Sequence, residues 1–228
     1  MSHPLARQMV PASAAWGPGT AAAVVLMWSV MMAAMMLPGA VPMVLLFAQL
    51  ARRGGGSRAT TWAFAGAYLL AWAGFSAIAA ALHWLLQRIG LVSPMMVSTS
   101  PTLTAALLIA AGAYQFTPLK AACLTRCRSP LAFLMAEWRK GIAGAFIMGL
   151  RHGAYCIGCC WALMALLFVV GVMNLPLVAM LALAIAAEKL TPWGEWIARG
   201  VGIVLILGGG WVLAAGVGPH SGMTEMGM

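Results

Sequence analysis

Six stretches of this chain, roughly residues 20–50, 61–87, 102–119, 146–172, 175–190 and 195–216, are long, apolar and almost free of charge, and short polar or basic breaks separate them. A bilayer core of about 30 Å takes roughly 20 residues of helix to cross. The pattern therefore predicts an all-α, polytopic transmembrane helix bundle of about six spans. Composition agrees, since 63% of the 228 residues are hydrophobic and 7% are charged, too few charges to coat a water-soluble globule. Pro38 and Pro42 are expected to kink the first run. The fifth, bounded by Pro176 and by Glu188-Lys189, is short. Residues 1–19 read as a short outer tail, because the lone Arg7 and the long apolar run after it do not make a convincing secretion signal. Residues 20–216 read as one transmembrane domain, and 217–228 as an outer tail containing Met and His.

The net charge of +9, from 13 Lys+Arg against 4 acidic residues, would in a soluble protein point to nucleic acid. Its placement points elsewhere. Counted by alternate connections, one side holds Arg52, Arg53, Arg58, Lys120, Arg126, Arg128, Arg139, Lys140, Lys189 and Arg199, and the other only Arg7 and Arg88. An excess of Lys and Arg marks the cytoplasmic side, so both termini are expected outside a bacterial inner (cytoplasmic) membrane. The basic charge then needs lipid headgroups and no nucleic acid.

Chemistry concentrates in sulfur. Five cysteines form two clusters, Cys123-x3-Cys127 and Cys156-x2-Cys159-Cys160, and His152 lies four residues before Cys156. Residues three or four apart share a helix face, and the topology brings both clusters to the inner ends of spans three and four. Thiolates with one imidazole suit a soft metal ion, Cu(I) before Zn(II), at spacings unlike those of a zinc finger. The plainer reading is that buried cysteines act as small hydrophobes. A disulfide is disfavoured at a cytosolic level. The spacing also lacks the His of a c-type haem attachment.

Methionine repeats the theme. Met27-Met31-Met35 and Met32-Met36 recur every four residues on the first span, making Met31 and Met35 candidate thioether ligands, with adaptable packing as the alternative. His220, Met223, Met226 and Met228 in the last residues read either as copper capture or as a simple tail. Arg151 and Glu188 lie near hydrocarbon and need partners. They are expected to pair with each other, or Glu188 orients His152. Tyr114 and Gln115 are placed beside the same polar pocket, or in hydrogen bonds between helices. His83 reads as interfacial, and Gly149 and Gly153 as sites of close helix approach.

Three strings, Met31-Met32-Ala33-Ala34-Met35-Met36-Leu37-Pro38, Tyr114-Gln115-x2-Pro118-Leu119-Lys120-x2-Cys123-x3-Cys127-Arg128-Ser129-Pro130 and His152-Gly153-x-Tyr155-Cys156-x-Gly158-Cys159-Cys160-Trp161, resemble an uncharacterised bacterial family described as predicted metal-binding integral membrane proteins. Gly171-Val172-Met173-Asn174-Leu175 and Glu188-Lys189 extend the resemblance over about residues 20–215. It implies membrane insertion and metal binding without a mechanism.

The expected function is to bind a soft metal ion, most plausibly Cu(I), and either hand it to a metallochaperone or metalloenzyme partner or move it across the membrane. No Walker-type string supports ATP-driven transport within the chain. A membrane thiol-disulfide redox protein and a non-catalytic scaffold or assembly subunit are the alternatives. The chain has no Asp and no acidic pair suited to acid–base catalysis, so an enzymatic role is not indicated.

Overall fold

The computed structural model describes residues 17–93, 98, 100–172 and 174–215. Arg7, Met173 and the segment with His220, Met223, Met226 and Met228 lie outside the described residues. The described chain is helical: α1 Pro18–Arg53, α2 Arg58–Arg88, α3 Pro101–Tyr114, α4 Pro118–Arg128, α5 Pro130–Glu137, α6 Gly141–Ala165 with a one-turn continuation Leu167–Val170, α7 Leu175–Leu190 and α8 Gly194–Ala215. Local chemistry sets several of the starts. Pro18, Pro101, Pro118 and Pro130 open their helices, where a missing N–H costs nothing. Ser100, Thr117 and Asn174 cap α3, α4 and α7 by accepting a backbone N–H in the first turn.

Among the described residues, α1, α2, α6 with its continuation, and α8 are long and apolar enough to cross a membrane; α3 and α4 would make a fifth span bent by 65°. By length and composition the described helices thus offer four or five spans where the sequence suggested about six. Two of the expected runs differ for identifiable reasons. The run at 102–119 breaks because Pro118 holds Thr117 in extended backbone (φ −76°, ψ 144°). The run at 175–190 is a helix of 16 residues, about 24 Å long. By contrast, α1 passes through Pro38 and Pro42 as one 36-residue helix.

The central helix is α6, two thirds buried over its most apolar window. It lies against α2 along a seam of small residues, where a Cβ at Gly153 would come within 2.6 Å of the Ala71 Cβ and one at Gly149 would overlap the Phe64 carbonyl. α8 and α3 interlock in the same way through Gly112, Gly202 and Gly209. α1 covers α2 and reaches α7, and the short α4 crosses α6. His83, expected at an interface, is instead buried on α2 with its ring against Phe168.

Candidate metal centre

Three helices bring sulfur together. α6 carries Cys156, Cys159 and Cys160, all buried, within consecutive turns. α4 approaches at Gly158, where a Cβ would stand 2.8 Å from the Cys123 Sγ and force that thiol to turn aside. One turn further along α4, the Cys127 Sγ lies 3.9 Å from the Cys159 Sγ. On the opposite flank the Cys160 Sγ lies 3.8 Å from the Met36 Sδ of α1. Two sulfurs held by one ion at about 2.3 Å stand roughly 3.8–4.0 Å apart, so each pair has the span of two ligands on a single soft ion. All five cysteines are free thiols. Cys123 and Cys127 are half-buried, whereas Cys156, Cys159 and Cys160 are sealed inside.

Polar groups complete the centre. The Tyr68 hydroxyl of α2 lies 3.2 Å from the Cys156 Sγ and donates to the Met36 carbonyl at 3.3 Å. The Lys189 ammonium, at the C-terminal end of α7, donates to the Cys156 Sγ at 3.0 Å and to the Met36 Sδ at 3.4 Å, and it stands 3.9 Å from the Cys160 Sγ. Next to it on the chain, Glu188 accepts from the Lys120 ammonium at 2.7 Å, and the Gln115 carbonyl oxygen accepts from the same ammonium. Lys120 and Glu188 are each 1% exposed, so the ion pair is fully buried. The Tyr114 hydroxyl donates to the Gly158 carbonyl, bracing the stretch of α6 between Cys156 and Cys159.

A family model described as a copper chaperone, PpoB2, matches residues 25–212. The chain belongs to the PpoB2 copper-chaperone family. No curated protein and no solved structure matches it. Every sulfur named above lies inside the matched range, and the donor set fits this family's metal: thiols and a thioether are ligands that favour Cu(I). Among the described residues, no group of three or more His, Cys, Asp or Glu side chains is placed to hold a metal ion, so the sulfurs meet here in pairs.

For this copper-chaperone family member, several expected site residues fall elsewhere. His152, one turn before Cys156, sits among Phe133, Tyr68 and Phe64, with ring centroids 5.5, 5.6 and 6.2 Å away, and its Nδ1 is buried without a hydrogen-bond partner. Arg151 pairs with Glu137 of α5 and not with Glu188. It precedes His152 by one residue, a turn of about 100° around the helix, and this carries its guanidinium away from α7. Met31 and Met35 pack in the apolar core of α1, while it is Met36 whose sulfur reaches the cysteines.

Lys189, Lys120 and Tyr68 were not anticipated. The signal for the lysines was a cation inside an apolar run, which has to find an acceptor; counting them as topological charge concealed it. Tyr68 offers a modest check. Replacing it with Phe keeps the ring beside His152 but removes the hydroxyl from Cys156 and Met36. The expected loss is about 1 kcal/mol, read as a few degrees in the thermal melt of the detergent-purified protein.

Proposed function

We propose that this chain is an integral membrane protein that binds Cu(I) through Cys127, Cys159, Cys156, Cys160 and Met36, with Cys123 at the approach, and passes it to a protein partner. The observation that carries the reading is the pair of sulfur–sulfur separations, 3.9 and 3.8 Å, that meet across α6 from α4 and α1. Cu(I) accepts two or three soft ligands, and thiolates and thioethers select it over harder ions. A half-buried thiol pair leading to a buried one supports hand-over by ligand exchange: one copper–sulfur bond forms as another breaks.

Membrane insertion is supported by what the helices leave uncovered. Leu26 on α1, Ile78 on α2, and Val204 and Leu207 on α8 are each at least 65% exposed, although helices of a soluble protein turn polar faces outward. Trp62, Trp193 and Trp196 are exposed close to Arg58 and Arg199, as aromatic side chains are at a headgroup boundary. The concentration of Arg and Lys on that side supports a cytoplasmic orientation for it in a bacterial inner membrane, with both termini outside. The metal centre then lies toward the cytoplasmic face, and α3–α4 and α7 enter the bilayer without each being a straight span.

The test is elemental analysis of detergent-purified protein loaded with Cu(I) under reducing conditions. Wild type is expected to retain copper in stoichiometric amount, and Cys159→Ser to bind it at least about a hundredfold more weakly, about 2.8 kcal/mol. Wild type without copper, or a Cys159→Ser variant that holds it equally well, would refute the proposal.

A further inference from the structure

The buried sulfur cluster already holds a monovalent cation, and that cation belongs to the protein. The Lys189 Nζ lies 3.0 Å from the Cys156 Sγ, 3.4 Å from the Met36 Sδ and 3.9 Å from the Cys160 Sγ. The whole residue is 8% exposed. The adjacent carboxylate, Glu188, is turned to Lys120, so the soft sulfurs are what surround the Lys189 ammonium. Such a placement is unusual for lysine, whose compact charge is strongly hydrated, and it is where a metal ion would draw on the same three sulfurs. Cys160 and Met36 are spaced for one ion. An ion that also takes Cys156 has to sit on the side where the ammonium stands.

We propose that Lys189 is a built-in place-holder: its ammonium fills the inner half of the centre in the copper-free protein, and Cu(I) binds Cys156, Cys160 and Met36 only by displacing it. This rests on the reading above that these sulfurs bind Cu(I). The centre then has two unequal halves. Cys127 and Cys159 form an outer pair whose α4 member is half-buried, and copper binds there first. Inward movement breaks the bonds to Cys127 and Cys159 as bonds to Cys156, Cys160 and Met36 form. The two thiols that become ligands give up one proton each, the two thiolates left behind take up one each, copper stays Cu(I), and the ammonium withdraws with its own protons. Gly39 leaves space along the lysine stem, since a Cβ there would meet the Lys189 Cδ at 3.3 Å. The occupant weakens copper binding, because apparent affinity falls by the fraction of molecules in which the site is free. In a protein that must give its cargo up, this loss serves release.

Two measurements test the proposal. In competition titrations with a Cu(I) chelator, Lys189→Leu, which removes the charge without adding a sulfur, is expected to bind copper about tenfold more tightly than wild type. Lys189→Arg, which keeps the charge, is expected to stay within about threefold. Unchanged or weaker binding by Lys189→Leu overturns the displacement, and weaker binding identifies the lysine as a counter-ion for the thiolates.

The second measurement needs no variant. Lys120, Lys140 and Lys189 are the chain's lysines, so side-chain nitrogen NMR of 15N-lysine wild type is simple to assign. Stoichiometric Cu(I) is expected to shift the Lys189 resonance and leave that of Lys120 in place. A Lys189 signal unmoved by bound copper overturns the proposal while leaving copper binding intact. Wild type that binds no copper overturns both.

Discussion

Gly149→Leu is expected to prevent α2 and α6 from docking, with a cost above about 4 kcal/mol and loss of the monodisperse peak in size-exclusion chromatography. A Cβ at this position would overlap the Phe64 carbonyl and stand 3.0 Å from the Ala67 Cβ, so relief requires a helix to move. One turn on, Gly153 repeats the constraint against Ala71. Separating the helices also withdraws the Tyr68 hydroxyl from Cys156, so copper retention should fall with the fold. The control is Gly74→Leu on α2, where a Cβ meets nothing within 4 Å; its effect is expected within about 0.5 kcal/mol of zero. Equal behaviour of the two variants would show that the seam is not what joins α2 to α6.

The second large effect concerns the buried charges. Glu188→Gln keeps the shape of the side chain but leaves the Lys120 ammonium inside the protein without its counter-charge, beside a second buried ammonium at Lys189. Removing one member of a buried pair typically costs about 3–5 kcal/mol, whereas replacing both by apolar groups is often close to neutral. Glu188→Gln should therefore lower the unfolding midpoint strongly, and Lys120→Met with Glu188→Leu should recover most of it. A single variant as stable as wild type would mean that water or another group compensates Lys120.

Much of this architecture can be read from residue order, and the parts that cannot share a cause. Apolar runs and capping Ser-Pro and Thr-Pro steps define helices locally, so the all-helical character and the joining of Cys127 to Cys159 were accessible. Direction around a helix axis, relative to neighbours not yet placed, was not. Arg151 and His152 are adjacent, yet one faces Glu137 and the other an aromatic enclosure; Met35 and Met36 are adjacent, yet only the sulfur of Met36 is in contact with Cys160. Lys120 and Lys189 were assigned to loops because a charge count weighs distance from a span and ignores where the side chain points. The break between α3 and α4 followed from Thr117-Pro118, a signal present in the sequence and outweighed there by the hydrophobicity of its surroundings.

The elbow at that break has one more property. Gln115, Phe116 and Thr117 donate their backbone N–H groups to Gly112, Ala113 and Tyr114, and the Thr117 hydroxyl donates to the Tyr114 carbonyl while accepting from the Lys120 N–H. The corner thus meets its own hydrogen-bonding needs within the nine residues from Gly112 to Lys120, and hydrocarbon tolerates irregular backbone where such groups are satisfied. In the membrane setting proposed above it has little call on water, so a sharp change of direction can be made at depth. The chain can present a cysteine helix to its core without a hydrated loop, the kind of opening through which a reactive ion would leak.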